Sequence, residues 1–454
     1  MSRTCLRGVA FTFPGLYAMD LENDLRNASM ALIIEGGLDL PLPRMVPVRQ
    51  KFPDAQIADI PGEVSRLIRL DGRTSRIRAG GRIAVAVGSR GIHAIDRITR
   101  TVVDEIRRLG ATPFIVPSMG SHGGATAEGQ RKILATFGIT EETMGAPIVS
   151  SMETVQVGSL EDGTPVWLDR EATASDGIVV VNRIKPHTAF TGDYESGLLK
   201  MVAIGLGKHR GATDFHSCGM DRFGELLPKL GRVVLEKAPI LFGLAVIENA
   251  YERPARFEIV WGEDMIGREP ALLKEARALM PRIIPGEIDV LVVHEIGKEI
   301  SGSGMDPNIT GRSSSPFFKR ENSLTVQRIV VLNLSKASGG SAMGIGLADF
   351  TTDRAVKAMN LDTTWINCIT AGVTASGKIP IHMPTDREAI LLALKTCARV
   401  RHPQSRIVWV RNTLALDRIR VSEPLLGELK GHPQIEIEGD PAPMPFDAQG
   451  NLLY

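Results

Sequence analysis

The sequence predicts an α/β protein of two domains, each built on a mostly parallel sheet, with a cleft between them. Three observations carry that reading. Between residues 82 and 184, short apolar runs bounded by turn residues, the kind that form buried parallel strands, alternate with helical periodicity. The same alternation begins again at "EIDVLVVHEIG" (287–297). Between them, "LMPRIIPGE" is punctuated by proline and reads as a linker near 280–286, which divides an N-terminal domain (1–280) from a C-terminal one (287–454). A length of 454 residues is itself too great for one ordinary core, since the soft expectation is one domain per about 150 residues.

The elements follow in order. Residues 1–80 are weakly patterned, with Pro and Gly punctuation ("LPLPRMVPVRQKFPD"), and are expected to form loops and short strands covering the first domain. In "GRIAVAVGSRG", Ile83 to Val87 make the first buried strand. Ile92, Ile95, Ile98, Val102, Ile106 and Leu109 then recur at steps of three and four, one face of a helix closed by Gly110. "TPFIVPSMG" supplies the next strand, so residues 82–118 make a βαβ unit. Thr126 caps a helix that runs to Phe137 and stops at Gly138. "SDGIVVVNRI" (175–184) is a third strand of the same type. The second pattern continues through "QRIVVLNLS" (327–335) and takes in "TTWINCIT" (363–370), the helix "DREAILLALKTCARV" (386–400) and "SRIVWVRN" (405–412).

Composition narrows the function. With 53 Lys and Arg against 52 Asp and Glu, the chain has no net field to draw nucleic acid or an anionic membrane, and a small or neutral partner is expected. Cys5, Cys218, Cys368 and Cys397 are scattered without a Cys-x-x-Cys pair, which argues against a thiolate zinc site or a disulfide framework. No apolar run approaches the roughly 20 residues that span a bilayer, and no signal-peptide pattern opens the chain. The cytoplasm is the expected location.

In open parallel sheets, ligands bind beyond the carboxyl ends of the strands. Three strands of the first domain end in groups that suit chemistry: Arg90 in "GSRG", His122 in "SMGSHGGATAEG" and His187 in "KPHTAFTGD". The strands bearing the two histidines are expected to be neighbours. "GSHGGAT" opens a helix whose free N–H groups suit an anion, although it matches neither a Walker loop nor GxGxxG. Each histidine reads equally well as a solvated turn residue, and Arg90 as the partner of a surface carboxylate. Lys200 sits inside the apolar run Leu198 to Leu206, where it either snorkels outward or is desolvated and nucleophilic. His209 and His216 are open in the same way. "GGSAMG" (339–344) and "MGSHGG" (119–124) both fail the G-x-S-x-G hydrolase pattern, and no glycine fingerprint of a nicotinamide dehydrogenase follows a strand.

A histidine in a small-residue loop after a strand, then "PH", then Gly-x-x-Lys, then a histidine 16 residues beyond that lysine resembles the lactate racemase catalytic subunit family. The resemblance is best over residues 80–220. It implies a nickel-pincer nucleotide with Ni²⁺, of the pyridinium bis-thiocarboxylic acid mononucleotide type. It further implies that His122 and His187 act as general acid and base on opposite faces of a 2-hydroxy acid. Lys200 would attach the cofactor with Arg90 beside it, and His216 would complete the nickel coordination. The expected activity is racemisation or epimerisation by reversible hydride transfer, which avoids a carbanion beside an existing carboxylate. Cofactor-biosynthesis proteins are the expected protein partners, with neither nucleic acid nor membrane. On this reading "KPHTAF…GLLK…DFH" is a cofactor cradle kept dry by the apolar run.

Two departures mark a divergent branch acting on another 2-hydroxy acid. Val87 stands where the family has an aspartate, and the family's Gly-Tyr-Pro…Tyr-Gln segment is replaced by "EIGKEISGSGMDPNITGR" (295–312). There, Lys298 and Arg312 are expected to meet a substrate carboxylate. The alternative is a non-catalytic α/β protein that binds metal or cofactor on the same scaffold.

Overall fold

Residues 37–89, 91–319, 324–400 and 402–454 are described by a computed structural model. Strand β1 (Met45–Gln50) and helix α1 (Ile60–Leu70) precede the βαβ unit of β2 (Arg82–Val87), α2 (Ile95–Arg108) and β3 (Thr112–Pro117). Helix α3 (Ala127–Thr136), the hairpin β4 (Thr154–Ser159) and β5 (Pro165–Asp169), and β6 (Gly177–Arg183) come next. They are followed by α4 (Lys208–Ser217), α5 (Phe223–Lys237), β7 (Ile240–Glu248), β8 (Pro254–Trp261) and α6 (Met265–Leu279). The second half contains β9 (Glu287–Ile296), β10 (Thr325–Leu334), β11 (Phe350–Thr352), α7 (Leu361–Thr370), β12 (Ile381–Met383), α8 (Asp386–Lys395), β13 (Ile407–Val410), β14 (Arg418–Ser422) and β15 (Ile435–Ile437).

The first sheet runs β3-β2-β6-β7-β8, parallel except for β8 at its edge. Its strands read as continuous apolar runs because both faces are covered. Ala84, Ala86, Ile178 and Val180 pack on one side with α5, α6 and the Leu198–Leu206 segment, while Ile83, Val85, Val87, Val179 and Val181 pack on the other with α1 and α2. The strands carrying His122 and His187 are not neighbours, contrary to the sequence expectation. Crossovers place β3 and β6 on opposite flanks of β2.

The second sheet runs β12-β11-β10-β9-β13-β14-β1-β15, parallel from β12 to β13 and antiparallel thereafter. β1 therefore lies in the sheet of the second half, although its sequence position suggested cover for the first. Gln50, fully buried at the end of β1, donates to Leu416 O (2.7 Å) and Arg282 O (3.0 Å) and accepts from Ile284 N (2.9 Å), tying the 280–286 connection to this sheet. "TTWINCIT" falls in α7 and is helical. Among the described residues, no helix is long and apolar enough to cross a membrane.

α1 was not anticipated. Asp59 caps it by accepting from Gly62 N, Pro61 occupies its first turn, and Ile60, Val64 and Ile68 form its buried stripe. Ile68→Ala is expected to destabilise the protein by about 2–5 kcal/mol, the range for a buried aliphatic truncation. Urea unfolding checks this, and a loss below about 1 kcal/mol would contradict the packing of α1.

Candidate active site

Val87 pairs in register with Pro117 and Val181, so β2, β3 and β6 finish at one edge of the first sheet. The loops beyond that edge carry the predicted residues. Arg90 lies outside the described residues.

His122 sits in a loop built for small residues. Gly120, Gly123, Gly124 and Ala125 adopt positive φ, and a Cβ on Gly129 would lie 1.8 Å from Gly123 O, so α3 can approach the loop only with glycine there. Buried Gln130 donates to Gly120 O (2.9 Å) and His122 O (3.3 Å). Behind it, Lys208 and Asp169, both wholly inaccessible, form an ion pair at 3.1 Å, and the Lys208 ammonium donates to Pro117 O. Burial pushes the Lys208 amine below its ordinary value, and the Asp169 charge opposes that shift. The His122 ring is exposed, with Nδ1 in hydrogen-bond contact with Ser89 Oγ just past β2.

His187 is held by its own loop. Lys185 N donates to Ser196 O (2.8 Å) and Ser196 N to Lys185 O (3.2 Å), closing the segment. Inside it, the buried Glu195 carboxylate accepts from His187 N and Gly192 N and pairs with Arg277 of α6. Burial pushes the Glu195 carboxyl up, while these N–H groups and the Arg277 charge pull it down. His187 Nδ1 accepts from Ala189 N (3.1 Å), which places the hydrogen of the neutral ring on Nε2.

Aromatic rings connect this loop to α4. The His187 ring centroid lies 4.4 Å from that of Phe190, Phe190 meets Phe223 edge-on at 5.6 Å, and Phe223 meets His216 edge-on at 5.2 Å. His216 is open to solvent on one side, yet its partial enclosure by these rings and the nearby Lys200 charge both lower its imidazole from the ordinary value. Lys200, half-buried, ends the short helix Leu198–Lys200, which continues as a π-turn over Met201–Gly205 with Leu206 N bonded to Met201 O at 2.9 Å. Such turns recur at functional sites. His209 is exposed.

The second half faces this edge. Asp306 pairs with Lys185 (3.3 Å), Asn308 Nδ2 donates to His187 O (3.2 Å), and Ser313 Oγ donates to Thr188 O (3.3 Å). The structure thus brings His187, Lys200 and His216 into one neighbourhood and sets the His122 loop on the same sheet edge. It corrects two expectations. The apolar run is core, but His122 and His216 are exposed, so the imidazoles stand at an open rim and not in a dry crevice. Arg312 does not offer a free fork, because it pairs with Asp349 (2.5 Å) and donates to Gln327 O (2.7 Å). Val87, at the position where the family has an aspartate, is buried in the face packed against α2. Lys298 is exposed and donates to Asn367 Oδ1 (2.6 Å).

The donor chemistry fits a metal that arrives with most of its own ligands. Among the described residues, no group of three or more His, Cys, Asp or Glu could hold an ion alone. One neutral imidazole beside a lysine, as in His216 and Lys200, completes such a set.

The lactate racemase N-terminal domain matches residues 60–223. No curated protein matches the chain at a significant level. Among solved structures, the lactate racemase apoprotein from Thermoanaerobacterium thermosaccharolyticum is 14% identical, with 82% of this chain and 99% of that one covered and a TM-score of 0.51. A protein from Thermotoga maritima is 13% identical, with 80% and 99% covered and a TM-score of 0.49.

Proposed function

We propose, from the match of residues 60–223 to the lactate racemase N-terminal domain, that the protein is an isomerase that inverts C2 of a small 2-hydroxy acid by reversible hydride transfer. The observation that carries this reading is the chain of rings from His187 through Phe190 and Phe223 to His216, with the Lys200 charge close enough to His216 to lower its imidazole. Lys200 and His216 would hold a nickel-pincer nucleotide, which supplies the hydride acceptor when bound. Everything else falls to the chain. Ser89 can accept from His122 Nδ1–H, and in that tautomer Nε2 carries the lone pair that would take the substrate hydroxyl proton. The His187 ring gives or takes a proton at Nε2 once its Ala189 contact opens. Lys298 would turn from Asn367 to meet a substrate carboxylate, while Arg312 is held by Asp349 and by the Gln327 carbonyl. The same reading places the protein in the cytoplasm.

Hydride transfer predicts that deuterium at C2 of the substrate stays in the product during racemisation in ordinary water. Mass spectrometry of recovered product checks this, and wash-out into solvent excludes the route. The engagement of Arg312 with Asp349 favours a second reading, in which the scaffold binds metal or cofactor without turnover. Stoichiometric nickel with no turnover across a panel of 2-hydroxy acids would select it.

A further inference from the structure

The segment carrying Lys200 begins without a cap of its own. Gly197 offers no side chain to the amide N–H groups of the first turn. They are met from α6 instead. The Glu269 carboxylate, 1% exposed, accepts from Leu199 N at 2.8 Å, and the neighbouring Leu198 N–H also favours its charged form. The fit is close, since a Cβ on Gly197 would lie 2.2 Å from Glu269 Oε1. From the other side, Asn182 at the end of β6 donates to Gly197 O at 2.8 Å. The 197 peptide is therefore clamped between the strand that leads to His187 and the helix that carries Glu269.

Glu269 is a costly way to cap a helix. Its Oε1 is buried with no hydrogen-bond partner among the described residues, and burial pushes the carboxyl up to about 7 even though the two amides pull it down. A serine or aspartate at 197 would satisfy the same amides from within the segment. What only a remote carboxylate provides is a fixed bearing of the segment against α6. We propose that Glu269 is a positioning residue: by holding the amide of Leu199 it sets the direction from which Lys200 reaches the space shared with His216. This rests on the role proposed above for Lys200, but it concerns the placement of the amine alone.

The test is competitive acetylation of the full chain with acetic anhydride, read lysine by lysine by mass spectrometry, with the exposed Lys132 and Lys274 as internal references. Glu269→Leu removes both acceptor oxygens and is expected to change the Lys200 rate by about fivefold or more relative to those references, the scale of one lost hydrogen bond. Glu269→Gln keeps an acceptor oxygen and is expected to stay within about twofold of the wild type. Gly197→Ala displaces the carboxylate from the other side and is expected to reproduce the leucine variant, which decides the matter should that variant fail to fold. A wild-type Lys200 rate in both disrupting variants, or an equal change at every lysine, overturns the proposal. Failure of the cofactor reading shows elsewhere, as wild-type protein from its native host lacking both an adduct mass and nickel.

Discussion

His122→Ala and His187→Ala are each expected to lower kcat for racemisation by about 10²–10⁴-fold, the usual contribution of a positioned acid or base. The imidazoles lie past the ends of β3 and β6, on either flank of β2, and their nitrogens are not equivalent. His122 has Nδ1 against the Ser89 hydroxyl, while His187 has Nδ1 occupied by the Ala189 amide. With Ser89 accepting, the His122 ring would receive a proton at Nε2, whereas the His187 ring carries hydrogen there, so neither should substitute for the other. His122 is exposed and its removal should leave the melting temperature unchanged. His187 is half-buried against Phe190, and its alanine variant should lower the melting temperature through loss of that ring contact and of the acceptor for Ala189 N. Steady-state rates from each enantiomer, alongside thermal melts, check both points. Residual turnover above about one-tenth of wild type would remove that imidazole from proton transfer.

Lys208→Met is expected to destabilise the fold by about 3–5 kcal/mol, the usual result of breaking a buried ion pair from one side. Methionine fills much of the lysine stem, so the loss is mainly electrostatic. Asp169 would remain buried without its counter-charge, while Pro117 O and Gln130 Oε1 would lose a donor. Lys208 also adopts φ +53°, so the chain tolerates an unusual backbone to place this ammonium. Urea denaturation should show a lower midpoint at unchanged slope. Adding Asp169→Asn keeps an acceptor for Ala172 N and is expected to recover part of the loss. No recovery would mean that the pair is not its source.

Where the pattern was local, the sequence was sufficient. Ile95, Ile98, Val102 and Ile106 are buried on one face of α2, Gly110 turns the chain at φ +83°, and Thr126 caps α3, each as its spacing implied. The histidines at strand ends were visible for the same reason, since a strand's terminus and the loop after it are adjacent in sequence. What escaped was set by distant partners. The position of β1 depends on β14 and β15, more than 360 residues away, and nothing in "MVPVRQ" names them. Glu195 and Arg277 meet across 82 residues, and Glu269 and Leu199 across 70. Lys208 follows the apolar run in "GLGKHRG", and its counter-charge Asp169 lies 39 residues earlier in the chain. Arg312 seemed available only because Asp349 could not be seen beside it.

The bonds from Asn308 to the His187 carbonyl and from Ser313 to the Thr188 carbonyl join one half's loop to the backbone of a proposed catalytic residue in the other. Any motion that parts the halves to admit or discharge a ligand must break them, and the His187 loop then loses its outside restraints at the moment of exchange. Turnover and opening would on that account share one clock, and weakening the Asn308 latch should quicken release while blurring the aim of the imidazole.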